Sequence, residues 1–199
     1  MPSAEPPYPL RSRLLFMAQP SAAVRDVMQR TLAYWQLDQR LGEALSPPAN
    51  WHQTLSDRFF EGRSLLGPLR RAGERLQAEA CTLLLNRIRG VDRSQADGRG
   101  SIHWSFLPRG EPAGFAALLA AVRASLASEG LASPSGHTPH VTISYGAPSV
   151  LGTQKITPIP WTIDEILLVE GHGPPYAYEV IERWPLQAAA PAQQQLDLL

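Results

Sequence analysis

The sequence has a single cysteine in 199 residues, no excess of either charge and no long apolar run. Cys81 alone cannot form a disulfide within the chain, and zinc sites built from several cysteines are excluded. It lies in the apolar run Ala80-Cys81-Thr82-Leu83-Leu84-Leu85, where a free thiol reads as a small buried hydrophobe. Lys+Arg and Asp+Glu both number 18, whereas a protein that grips long nucleic acid through its phosphates is normally basic. Any nucleic-acid partner is therefore expected to be a short piece or a chain end, held by local arginines. No run approaches the ~20 apolar residues of a membrane span. Met1-Pro2-Ser3-Ala4-Glu5 lacks a signal peptide's basic start and apolar core, so a cytoplasmic protein with no membrane partner is expected.

What is present suits a folded domain. Hydrophobic residues make up 44% of the chain, too many for disorder. The length fits one domain, or two small lobes sharing a core. Residues 1–10 are Pro-rich and 188–199 are rich in Ala and Gln, so both ends read as loose tails around a domain over 11–187. Most of the 19 prolines punctuate segment ends.

Local patterns give the elements in order. Arg11 to Ala18 reads as a strand, and Ser21 as the N-cap of a helix from about Ala22 to Trp35. Val24, Val27, Met28, Leu32 and Trp35 recur at three- and four-residue steps, as one buried face should. Helical character continues over 37–45, until Ser46-Pro47-Pro48 ends it. A strand from about Trp51 follows, then a helix over 65–77, and Ala80 to Ile88 is a strongly apolar strand. Arg89 to Gly100 reads as a polar, Gly-rich surface loop, with a basic cluster of Arg87, Arg89, Arg93 and Arg99 falling there. Ser101 to Leu107 alternates as a strand with Ile102, Trp104 and Phe106 on one side. The strongest helix spans 111–128 with the stripe Phe115, Leu118, Leu119, Val122 and Leu126, and Gly130 stands where a C-cap belongs. A strand from Pro139 to Tyr145 and a closing pair, 161–170 and 176–186, complete the chain. Strands and helices mix without regular βαβ alternation, so the fold class is α+β with mostly antiparallel sheet.

One pattern occurs twice. His52-Gln53-Thr54-Leu55-Ser56 and His140-Val141-Thr142-Ile143-Ser144 both read His, any residue, Thr, aliphatic, Ser, about 90 residues apart. On strands, His52, Thr54 and Ser56 would share one face, as would His140, Thr142 and Ser144. Each motif follows a helix in a corresponding place of its half-chain, so an internal duplication would set the two face to face across a cleft. A lone His-x-Thr carries no information, being most often a half-buried strand. Two imidazoles, each with a hydroxyl two residues on, are suited to acid–base work on a phosphate. His137 and His140 also make an H-x-x-H, without a clear third ligand for a metal. His103 and His172 read as a polar-face strand residue and a loop residue. Trp51, Trp104 and Phe106 read as core, and Tyr145 as the aromatic best placed to stack on a base.

The tetrapeptides His52-Gln53-Thr54-Leu55 and His140-Val141-Thr142-Ile143 resemble the paired HxTx signatures of the 2H phosphoesterase superfamily. Within it the chain is similar to the bacterial 2'-5' RNA ligase, or RNA 2',3'-cyclic phosphodiesterase, branch. Arg13-Leu14-Leu15-Phe16-Met17-Ala18 resembles that branch's opening strand, and 161–169 with 178–186 its closing pair, so the resemblance covers about 11–187. It implies a bilobal, pseudo-symmetric fold of two mostly antiparallel sheets around a cleft, with helices outside. It implies His52 and His140 as catalytic residues, Thr54 and Thr142 as phosphate-binding residues, and no metal or cofactor. The implied activity is hydrolysis of a 2',3'-cyclic phosphate on an RNA terminus or small nucleotide to a 2'-phosphate, by a monomer, with reversible 2'-5' ligation as a side reaction. The alternatives are a non-catalytic binder of phosphorylated RNA termini, and a phosphodiesterase for another substrate such as 2',5'-oligoadenylate. Members of the family often have a basic residue after the second motif, where this chain has Ser144-Tyr145. The first motif leads into a longer segment than usual, 56–62. A cationic clamp would then come from Arg58 or Arg63, with Tyr145 as a further substrate contact.

Overall fold

The computed structural model of the protein describes residues 13–60, 62–93, 101–134, 136–173 and 176–188. The loose tails expected at the two ends, and Arg99, fall outside these residues except for position 188.

Two four-stranded antiparallel sheets carry the fold. Sheet 1 has the order β2-β1-β7-β8, from β1 (Arg13–Ala18), β2 (Gln53–Thr54), β7 (Glu165–His172) and β8 (Ala177–Pro185). Sheet 2 has the order β5-β4-β3-β6, from β3 (Cys81–Asp92), β4 (Ile102–Pro108), β5 (Val141–Ser144) and β6 (Leu151–Ile163). The two strands that carry the His/Thr motifs, β2 and β5, are therefore edge strands in corresponding positions of the two sheets. Among the described residues, four α-helices pack around them: α1 (Ala22–Tyr34), α2 (Leu37–Leu41), α3 (Leu66–Arg75) and α4 (Ala113–Ser128). This is the expected α+β architecture.

Strand alternation decides which faces meet the helices. Leu14, Phe16 and Ala18 of β1 join the main core with Leu83, Leu85 and Ile88 of β3, Met28 and Leu32 of α1, Leu69 of α3, and the whole stripe of α4. Each large apolar side chain so buried contributes about 1.5–3 kcal/mol. The intervening residues Leu15 and Met17 form a second, smaller cluster on the other face of sheet 1, with Leu167 and Val169 and, partly buried, Tyr178 and Val180. Local signals work as read at both ends of helices. The Ser21 side chain accepts from the Val24 N–H at 3.3 Å to start α1, and Gly130, at φ 73°, ends the turn after α4.

Four expectations are corrected. The strand read over 161–170 is two strands in different sheets, broken at Asp164, and β6 begins ten residues earlier than expected, at Leu151. Pro158 and Pro160 hid that stretch, but β6 is an edge strand, where a missing N–H is tolerated. The loop read from Arg89 is strand as far as Asp92, so Arg87 and Arg89 project from β3. A bulge between Leu85 and Arg87 shifts the phase of that strand and obscures its alternation. The strand read from Trp51 is only the pair Gln53–Thr54. Trp35 leaves the buried stripe of α1 and is 41% exposed, because the helix ends at Tyr34 and Gln36 takes a left-handed conformation (φ 54°). Among the described residues no helix is long and apolar enough to cross a membrane.

Candidate active site

The two histidines are held by the same local device. His52 follows a short 3-10 turn over 48–50 and precedes β2; His140 immediately precedes β5. His52 Nδ1 lies 2.7 Å from the Asn50 carbonyl oxygen, and His140 Nδ1 lies 2.7 Å from the Thr138 carbonyl oxygen. A carbonyl can only accept, so each ring carries its proton on Nδ1 and leaves the Nε2 lone pair for chemistry when neutral. The turn of 48–50 is itself anchored by Trp51, fully buried, whose indole N–H donates to the Ser46 carbonyl at 2.9 Å.

A buried glutamine ties the motifs together. Gln53 Oε1 accepts from the backbone N–H of His140 at 2.6 Å, and Gln53 Nε2 donates to the Thr54 carbonyl at 2.8 Å. Nothing in the sequence singles this residue out, since it occupies the variable position of its motif. Thr54 stands opposite Met17 in the register, on the face of sheet 1 that carries Leu15 and Met17. Thr142 stands opposite Ser105, and their hydroxyls are 3.1 Å apart. The motif serines do not join this face as expected. Ser56 Oγ accepts from the Phe16 N–H and donates to the Asp57 carbonyl, both at 2.8 Å, so it fastens the chain to β1. Ser144 is fully buried.

The surroundings of the two rings differ. The Tyr178 ring meets the His52 ring edge-on, with centroids 4.8 Å apart, and its hydroxyl lies 3.4 Å from His52 Nε2. Behind it, Tyr176 packs edge-on against Tyr178 at 5.2 Å and accepts from Arg13 Nε at 2.6 Å. No sequence pattern marks either tyrosine or Arg13 as part of the site. Burial pulls the pKa of His52 down to about 4; the Asn50 carbonyl opposes this, and the charges of His140, Arg58 and Arg13 add to it. Burial also lowers the pKa of His140, against the Thr138 carbonyl and with Arg93. Burial raises the pKa of Tyr178, so its hydroxyl stays protonated and can donate to a neutral His52.

The other candidates separate. Arg58 is exposed, and its positive charge acts on His52, His137 and Tyr145. Arg63 instead lies 3.5 Å from Glu170 of β7, with its own side chain 75% exposed. Tyr145 keeps 46% of its surface exposed while its hydroxyl end engages Thr142, and its ring meets His103 edge-on at 5.0 Å. His137 faces Asp57 at 3.7 Å.

No family model matches the sequence. No curated protein matches it. Solved structures do. E. coli LigT complexed with 3'-AMP is 21% identical with a TM-score of 0.67, covering 88% of this chain and 98% of that one. TT0787 of Thermus thermophilus is 22% identical with a TM-score of 0.68, covering 89% and 100%. A structure described as a phosphoesterase is 23% identical with a TM-score of 0.65, covering 90% and 99%. LigT has also been crystallised with ATP, NADP+ and phosphate. This chain therefore has the fold of LigT and of these other structures: two four-stranded antiparallel sheets with helices packed around them.

Proposed function

We propose that the chain is a 2H phosphoesterase of the LigT branch that opens 2',3'-cyclic phosphates on RNA ends or nucleotides without a metal ion. The observation that carries the reading is the doubled imidazole device, in which each Nδ1 is engaged by the carbonyl two residues back, so that Nε2 is the nitrogen of each ring that exchanges a proton.

The reaction balances on these residues alone. A water oxygen attacks phosphorus and gives its proton to one Nε2; the bond from phosphorus to the 3' oxygen breaks, and that oxygen takes a proton from the other imidazolium. The product is a 2'-phosphate beside a 3'-hydroxyl. In-line displacement places entering and leaving oxygens on opposite sides of phosphorus, which suits two imidazoles borne by separate sheets. Each proton transfer contributes on the order of 10²–10⁴ in rate. The larger depression falls on His52, and the Tyr178 hydroxyl beside its Nε2 also favours the neutral ring. His52 is thus the ring held neutral, which takes the proton from water, and His140 the donor, whose protonation the anionic substrate promotes. Thr54 and Thr142 donate to the non-bridging oxygens as charge gathers there, and Arg58 supplies the cationic clamp. Attack on the cyclic phosphate by a 5'-hydroxyl in place of water, with the 3' oxygen again leaving, would form a 2'-5' linkage; hydrolysis prevails because water is at ~55 M and the second RNA end must be held in place.

The test is hydrolysis of 2',3'-cyclic AMP in the presence of EDTA by the wild type and by His52→Ala and His140→Ala. Turnover by the wild type and loss of at least about 10²-fold in each variant is expected. A wild type inactive on every 2',3'-cyclic substrate, or a variant at full rate, overturns the reading. Saturable nucleotide binding without turnover would identify a non-catalytic binder instead.

A further inference from the structure

Zero net charge hides a separation between the two sheets. The strands of sheet 1 carry four carboxylates, Glu165, Glu170, Glu179 and Glu182, against two arginines, Arg13 and Arg183. The strands of sheet 2 carry three cations, Arg87, Arg89 and Lys155, against one carboxylate, Asp92. Asp92 follows Ile88 and Gly90 along β3 and so sits on the face opposite Arg87 and Arg89. Elsewhere arginines are spent on partners: Arg70 on Glu182, Arg71 and Arg75 on Glu129, Arg183 on Glu165. None of the ion pairs among the described residues involves Arg87, Arg89 or Lys155.

The register shows where these cations lie. Arg89 is opposite Ser105, and Ser105 is opposite Thr142, so one row across sheet 2 joins Thr142 to Arg89 on one face. At about 4.8 Å between strands, their backbones are about 10 Å apart. Arg87 stands two residues along the same face and is opposite Lys155 on the edge strand β6. The three cations thus step away from the phosphate-binding threonine towards the outer edge of the sheet. Cations without a carboxylate partner, at such intervals on an open sheet, suit successive phosphates of an extended strand, whereas a mononucleotide would leave them without a ligand.

Resting on the proposed activity at His52 and His140, we propose that Arg89, Arg87 and Lys155 form a track for the backbone of single-stranded RNA, so that the substrate is an oligonucleotide whose 3' end carries the cyclic phosphate. Binding is then local and salt-sensitive even though the chain as a whole is neutral.

The test compares 2',3'-cyclic AMP with oligoadenylates of two, four and six residues ending in a 2',3'-cyclic phosphate. In the wild type kcat/KM should rise about tenfold or more with length, and KM for the longest should climb steeply with salt. In Arg87→Gln/Arg89→Gln/Lys155→Gln the advantage of the longer substrates over 2',3'-cyclic AMP should vanish, and the slope of log KM against log salt should fall by about 2. Rates independent of length in the wild type, or a length dependence that survives in the variant, overturn the track. Should no length turn over, the proposed activity fails on its own account, and anisotropy of a labelled 3'-phosphorylated hexamer decides the track. Salt-sensitive binding lost in the triple variant upholds it; absent binding, or binding the variant retains, overturns it.

Discussion

Gln53 Oε1 accepts a hydrogen bond of 2.6 Å from the backbone N–H of His140. One motif thereby sets the position of the other motif's histidine, across the boundary between the two sheets. Gln53 is fully buried and the bond it makes to His140 is partly buried, so losing the glutamine leaves that N–H without its protein partner.

Gln53→Ala should therefore act twice. Losing this partly buried hydrogen bond costs about 1 kcal/mol, readable as a lower urea midpoint. Displacement of His140 should also lower kcat more than it raises KM. Gln53→Glu keeps the acceptor and should recover part of the kcat loss; if both variants match the wild type in kcat, the tie does not position His140.

His52 makes stability depend on pH. Its folded pKa, about 4, is below its ordinary 6.5, so the unfolded chain binds the extra proton more readily. The stabilisation is complete above pH 6.5 and is lost as pH falls towards 4, by about 3 kcal/mol across the window. Urea unfolding at pH 7 and pH 4.5 should show this loss in the wild type and a smaller one in His52→Gln. Equal losses would remove His52 as the cause.

Tyr178→Phe removes the hydroxyl 3.4 Å from His52 Nε2 and keeps the edge-on ring. Stability should change little. The acidic limb of the kcat/KM profile should move to higher pH, because a neutral His52 loses a donor that favoured it. An unmoved limb would show that the tyrosine only packs.

Gly90→Ala should unfold the second sheet more easily than any surface change. A Cβ at Gly90 would strike the Trp104 ring and come within 2.7 Å of the Leu151 backbone nitrogen. Trp104 is fully buried and its indole N–H is committed to the Ser149 carbonyl at 2.7 Å, so it cannot give way. A loss of about 3 kcal/mol is expected; a thermal midpoint within a degree of wild type would contradict the packing.

Periodicity and punctuation in the sequence were enough for α1, β1, β4 and the full stripe of α4, since each buries one face and shows it as a repeat. They failed for β6, where prolines on an edge strand mimic a loop, and for β3, where a bulge breaks the alternation. The doubled His-x-Thr was legible because it is a local repeat, and so were the residues needed to exchange two protons.

What tertiary structure decided is everything that depends on residues distant in sequence. The bond from Gln53 to His140, the Arg13–Tyr176–Tyr178 stack behind His52, and the step of cations from Thr142 to Lys155 each join segments that no local pattern relates. Burial likewise parts the two histidines, chemically identical as residues, because only the folded chain removes water from one ring more than from the other.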